Sequence, residues 1–390
     1  MEPPGERPPW GERELLLGCG AHMSPMRRAT PEDNAALLEL FGDVPMQGEL
    51  VLATQRSPDY FALFELQRGT TEVWVHDEAG QLDGMGAIHV REGWLEGQPC
   101  RVGYLGDLRS RFSARRTRGL ARFYGPILEE AAERHGVSAF LTAVMATNAA
   151  ALQALVKRKA SRASQPHYTL LTPFSAVSVQ LALRRRPRPS PYTVRRATPG
   201  DVPAMAALLD ADHRARPFGY RYDLGELEHR LAHWPGLTVE RCYLAFDREG
   251  RLVGCTSVWD ASAVKRFQVL AYRGGMRWMR LGFDALATVV GAPRLPAPGQ
   301  CFRYFYLCNT SIAGEDPAIF RALLEQVYAD HHGQGFHFFT LYLGQGDPLA
   351  PALKGFMLRR LDFHLYAVTP ASSPRGAFPP GRTGFEIALP

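Results

Sequence analysis

The chain has 390 residues, 46% hydrophobic, 11% aromatic and 22% charged, a composition that excludes collagen-like, coiled-coil and fully disordered chains. At roughly 100 to 200 residues per domain it is long enough for two or three domains, and two is the working number. The net charge is +6, but almost every basic residue is an arginine and the chain lacks the basic and aromatic stripe of a nucleic-acid surface. No apolar run approaches the roughly 18 residues of a spanning helix, so neither a nucleic-acid partner nor stable membrane insertion is expected.

The N-terminal residues, 1–24, read as a flexible leader. Leu16-Leu17-Gly18-Cys19 resembles a lipoprotein cleavage box, but Pro-rich, charged sequence precedes it where an apolar signal segment belongs. The six cysteines (Cys19, Cys100, Cys242, Cys255, Cys301 and Cys308) form no CxxC pair, which fits a reduced, cytoplasmic location.

From residue 25 the chain repeats itself. Arg27-Arg28-Ala29-Thr30-Pro31-Glu32-Asp33 returns as Arg195-Arg196-Ala197-Thr198-Pro199-Gly200-Asp201, in both cases a short strand, a Thr N-cap, a Pro at the first helical position and an apolar helix. Asp77–Gly84 returns as Asp247–Gly254 between β-like runs, as a hairpin turn does. His135-Gly136 returns as His332-Gly333, closing a helix before a strand. The growing offset predicts an insertion in the second copy, near residues 263–300, rich in arginine and aromatic residues. It is either a helical cap or a basic amphipathic element that touches a membrane or an acidic substrate.

Each copy reads strand, helix or helices, three strands, helix, strand, helix and final strands, an α+β pattern. The domains are placed at 25–183 and 191–370. A Pro- and Arg-rich linker, 184–190, joins them, and a Pro/Gly/Ser-rich tail, 371–390, is expected to be loosely held.

In the first copy a β-like stretch, Cys100 to Arg109, leads through Ser110–Ala121 into a helix. Such a turn aims backbone N–H groups and the positive helix end at an anion, and Arg115, Arg116 and Arg118 add charge while Gly119 lets the backbone come close. Arg116-Thr117-Arg118-Gly119-Leu120-Ala121 matches Q/R-x-x-G-x-G/A, and with its place after the fourth strand, Asn148 after the fifth, and the repeat length, the chain resembles the GNAT superfamily of N-acetyltransferases. The resemblance covers both copies, although only the first has the motif.

It implies two tandem GNAT-like domains, each a mixed, mostly antiparallel, splayed sheet flanked by helices. The parting fourth and fifth strands would admit acetyl-CoA or another acyl-CoA, held by Arg115, Arg116, Thr117, Arg118, Gly119, Leu120, Ala121 and Asn148. A backbone N–H near Leu108 or Arg109 would meet the developing oxyanion. An amine on a small molecule or peptide would attack directly. Asp107 is the candidate base, with a structural hydrogen-bonding role as the other reading. Family members often have a Tyr seven residues after the Asn. This chain has Leu155 there, which leaves Tyr104, Tyr124, Tyr168 or water as the general acid.

In the second copy Glu315 and Asp316 replace the basic turn and would repel a pyrophosphate. That half is expected to bind no cofactor and to shape the acceptor cleft. The alternatives are a carrier-protein-bound or aminoacyl donor acting on a peptide, and a non-catalytic acyl-CoA sensor or scaffold. No metal is expected: His331 and His332 are adjacent, lack a set of carboxylates and read as a solvated helix end.

Overall fold

The computed structural model describes residues 26–43, 48–78, 80–111, 117–157, 164–290, 292–379 and 381–389. The expected leader, residues 1–24, and Arg115 and Arg116 of the expected phosphate-binding turn lie outside these.

Both halves begin with the same local device. Strand β1 (Met26–Arg28) leads through a 3-10 turn, Pro31–Asp33, into α1 (Asn34–Gly42). The Arg27 guanidinium holds both Asp33 oxygens at 2.7 Å, and Asp33 accepts the Thr30 N–H at 2.8 Å. The second half repeats this from Arg195 to Asp201, at 2.8 and 2.7 Å, with Thr198 N–H at 2.7 Å. A side chain thus satisfies an otherwise orphaned amide at each helix start.

The first half continues through β2 (Leu50–Gln55), α2 (Ala62–Glu65), β3 (Thr70–Glu78), β4 (Gln81–Leu95), β5 (Gln98–Ser110), α3 (Thr117–His135), β6 (Phe140–Met145), α4 (Ala149–Ala151) and β7 (His167–Gln180). The second runs through β8 (Thr193–Arg196), α5 (Val202–Arg214), β9 (Gly219–Tyr220), α6 (Leu224–His233), β10 (Cys242–Phe246), β11 (Leu252–Trp259), β12 (Arg266–Tyr272), α7 (Gly275–Val290), β13 (Tyr304–Ile312), α8 (Pro317–His331), β14 (Phe338–Gly344) and β15 (Leu358–Thr369).

One continuous sheet holds the order β1-β3-β4-β5-β6-β15-β7-β14-β13-β11-β10-β8, with β9 beside the end of β4. The order is palindromic about the β15–β7 pair. Each half therefore lends its last strand to the other: β15 pairs with β6 over Phe363–Val368, and β7 pairs with β14 over Phe174–Gln180. β12 of the insertion pairs with β2 and ties the halves together a second time. Helix α3 buries Leu128 and Ala131 against Phe140, Val144 and Val368. Helix α8 buries Phe320, Leu323 and Val327 against Val258, Phe305 and Phe339.

Two expectations need correction. The tail is packed: Thr383, Ala388 and Leu389 are buried, Gly384 N–H donates to Pro217 O at 2.9 Å, and Lys265 Nζ donates to Ala388 O at 3.1 Å. Its prolines and glycines made it read as a loose segment, while Ile387, Ala388 and Leu389 supply the apolar surface that docks it. His331 is likewise buried rather than solvated, with its ring 4.7 Å from that of Phe305 and Nδ1 2.9 Å from Val327 O.

Candidate active site

The sheet forks between β5 and β6. These parallel strands pair at Gly103–Phe140 and Tyr104–Leu141, and Thr142 Oγ1 then donates to Leu105 O at 2.9 Å. Gly103 sets the closeness of the pair, because a Cβ there would fall 2.1 Å from the Phe140 ring.

Just past the fork β5 carries a bulge. Met85 faces Arg109 while Ala87 faces Gly106, so β5 has one residue too many, and Asp107 takes it up with φ 53°. A bulge leaves a backbone N–H without its ladder partner, and the left-handed conformation is tolerated better by Asp than by most residues. Arg56 fixes the bulge, with Nη1 2.6 Å from Asp107 Oδ2 and Nη2 3.3 Å from Oδ1, and Tyr60 OH donates to Oδ2 at 2.9 Å. Both oxygens of Asp107 are thus engaged. Leu108 beside it is half exposed, and Arg109 lies 3.9 Å over the Phe41 ring.

The second half repeats this arrangement. Cys255 faces Ser311 while Ser257 faces Cys308, and Asn309 absorbs the extra residue with φ 48°. Its Oδ1 accepts from Tyr222 OH and from Arg230 Nη1, each at 2.9 Å. Its N–H is already taken, donating to Glu386 Oε2 of the tail at 3.2 Å. Loss of solvent pushes the Glu386 carboxyl up to about 7, against the pull of Arg230 and of the backbone N–H groups of Asn309 and Ala388.

Glu386 reaches the first half. With Phe385 it lines a small inner chamber whose other walls include Arg56, Tyr104, Gly106 and Asp107. An outer cavity of about 400 Å³ lies between the 67–70 loop, β4 residues 89–92 and residues 221–234 of the second half. The two share Gln67, His89, Arg91, Tyr220 and Leu389, which form the neck between them. Arg91 pins that neck, donating to Phe218 O at 2.8 Å, Gly219 O at 3.1 Å and Gly384 O at 3.3 Å.

Among the other sequence candidates, Tyr104 lines the inner chamber, with its ring centroid 6.1 Å from that of Phe385; burial, then Asp107, raises its hydroxyl pKa. Tyr124 lines neither cavity. Its hydroxyl accepts from Tyr168 OH at 3.0 Å, and burial pushes it up to about 12. Asn148 caps α4, accepting from Ala151 N–H at 3.0 Å. Helix α3 is described from Thr117, so Thr117, Arg118, Gly119, Leu120 and Ala121 are helical. Among the described residues no three His, Cys, Asp or Glu side chains gather as a metal site, and no helix is long and apolar enough to cross a membrane.

Sequence reasoning missed Glu386, His89, Arg91 and the Arg56–Tyr60 clamp. A signal existed for Glu386, a lone carboxylate in the apolar run Phe385-Glu386-Ile387-Ala388-Leu389. Tyr60 and Tyr222 also stand at similar depth in the two repeats.

No protein-family model and no curated protein matches the sequence. The fold does have solved counterparts. It is similar to Saccharomyces cerevisiae N-myristoyltransferase with bound myristoyl-CoA and inhibitors, at TM-score 0.58 and 10% identity, covering 94% of this chain and 87% of that one. It is also similar to a GCN5-related N-acetyltransferase from Sphaerobacter thermophilus, at TM-score 0.52 and 13% identity, covering 88% and 94%. In fold, then, the chain is a tandem GNAT-like protein, α+β, with the two domains joined through exchanged final strands.

Proposed function

We propose that the chain is an N-acyltransferase that moves an acyl group from acyl-CoA to an amine in its first half. The carrying observation is the asymmetry of the two bulges: the one at Asp107 borders the small inner chamber, while the N–H of Asn309 is filled by the chain's own Glu386. Support for an acyl-CoA substrate comes from the β5–β6 fork, from α3 following β5 with the motif residues Thr117–Ala121 helical, and from neighbours whose names are those of N-acyltransferases.

In this reading the thioester carbonyl lies at the bulge, where the backbone N–H of Asp107, the counterpart of the Asn309 N–H that Glu386 fills, takes the developing negative charge. The amine nitrogen bonds to the carbonyl carbon, the C–S bond breaks, and the amine gives up a proton while the thiolate gains one. Glu386 is the proton acceptor, because a carboxyl held near neutrality suits general-base work. Asp107, whose oxygens are occupied, holds the bulge in shape. Tyr104 returns a proton to the thiolate, since its ring lines the chamber and that of Tyr124 does not.

The test is release of free CoA thiol from acetyl-CoA and longer acyl-CoAs across a panel of amines. Amine-dependent release, lost in Glu386→Gln with acyl-CoA binding retained, supports the reading. Binding without release from any amine contradicts it.

A further inference from the structure

Resting on the acyl-transfer reading, we infer that the acceptor is an amine that also carries a carboxylate, of about amino-acid to dipeptide size. It is held in the outer cavity with its carboxylate on Arg68 and Arg221 and its amine toward His89. The volume, about 400 Å³, falls in the range of small-molecule sites.

The cavity has more positive than negative charge. Arg68, Arg91, Arg101, Arg221 and Arg230 line it, against Glu92, Asp223 and Glu226. The acids are only partly able to answer them. Glu226 is taken by Arg230 at 2.7 Å, Arg68 reaches Asp223 and Glu226 at 3.6 and 3.9 Å, and Arg101 reaches Glu92 at 3.6 Å. Arg91, buried, donates to backbone carbonyls alone, and Arg221, exposed, has no ion pair among the described residues. A cavity with this surplus repels cationic polyamines and attracts an anion.

At the neck His89 is 4% exposed. Its Nδ1 is 2.8 Å from Thr71 Oγ1, and its Nε2 has no partner. A buried polar atom left unpaired in a native protein calls for an explanation, and a ligand atom supplies one. Burial and Arg91 hold this imidazole down at about 4, so it is neutral at pH 7 and can hydrogen-bond an uncharged amine on its way to the inner chamber.

The experiment uses the full chain with acetyl-CoA and compares glycine, alanine, glutamate and lysine with their carboxamides and with spermidine, alongside calorimetric binding of N-acetylalanine and its carboxamide. The free carboxylate should lower KM about tenfold or more, the scale of one charge-assisted hydrogen bond. The doubly substituted Arg68→Gln/Arg221→Gln chain should lose that discrimination while acetyl-CoA binding stays. Equal KM for acids and amides, or a preference for spermidine, would overturn the inference. If acetyl-CoA binds but no amine reacts, the acyl-transfer reading fails by itself. Calorimetry then decides the site: tighter binding of the acid, lost in the double variant, sustains it, and no difference between acid and amide overturns it.

Discussion

Asp107 and Asn309 hold the same place in the two halves, each the left-handed residue of a bulge, and each accepts a tyrosine hydroxyl at 2.9 Å, from Tyr60 and from Tyr222. They differ in charge because their arginines are supplied differently. Arg230 finds its counterion in Glu226 at 2.7 Å, so an amide suffices at 309. Arg56, its side chain 1% exposed, pairs with Asp107 and with no other carboxylate among the described residues.

This predicts that Asp107→Asn destabilises the fold by about 3 to 5 kcal/mol, the cost of stranding a buried charge. Adding Arg56→Met should recover most of that loss. Denaturant unfolding of the single and double variants checks it. Unchanged stability, with turnover lost in both variants, would mean that Asp107 is the base.

Glu386 sets the pH dependence. Its folded pKa, about 7, is above the ordinary 4.5. Activity that needs the carboxylate should therefore rise with pH and level off above about 7, and Glu386→Gln should lower the plateau about 10² to 10⁴-fold. Stability should run the other way. Between 4.5 and 7 the folded state binds more protons than the unfolded state, so this group's contribution falls as pH rises through that window. Unfolding curves at pH 5 and 8 check the sign, since Glu386→Gln should flatten the difference.

Gly103 keeps β5 and β6 close at the base of the fork. Gly103→Val would drive its Cβ into Phe140, where even an ideal Cβ falls 2.1 Å from Cδ1. It should cost about 1 to 3 kcal/mol or more through overpacking and weaken acyl-CoA binding. A thermal melt with and without acetyl-CoA measures both effects, and an unaltered melt would contradict the geometry.

The repeat was legible because it is written in local chemistry. Thr30 with Asp33, and Thr198 with Asp201, cap their helices through neighbours within a few positions, and such patterns survive in sequence. The exchange of β7 and β15 was not legible, because their pairing joins residues far apart in the chain, such as Leu358 with Val179, and nothing local encodes the partner. The tail misled for a related reason: its prolines and glycines speak of local freedom, while the pocket that binds Ala388 and Leu389 is built by distant residues such as Trp259 and Val269. Asp107 was found by its place on the strand, but its partners Arg56 and Tyr60 come from the segment between β2 and α2, about fifty positions away in the chain, so its role could not be read from spacing.

The most direct test of an active first half and a filled second half is native mass spectrometry of the chain with acetyl-CoA, counting bound molecules in the unaltered protein and in Gly119→Asp, which places a carboxylate in the motif that opens α3. One bound molecule per chain is expected, lost in Gly119→Asp. Two bound per chain, or one that persists in the variant, would contradict it.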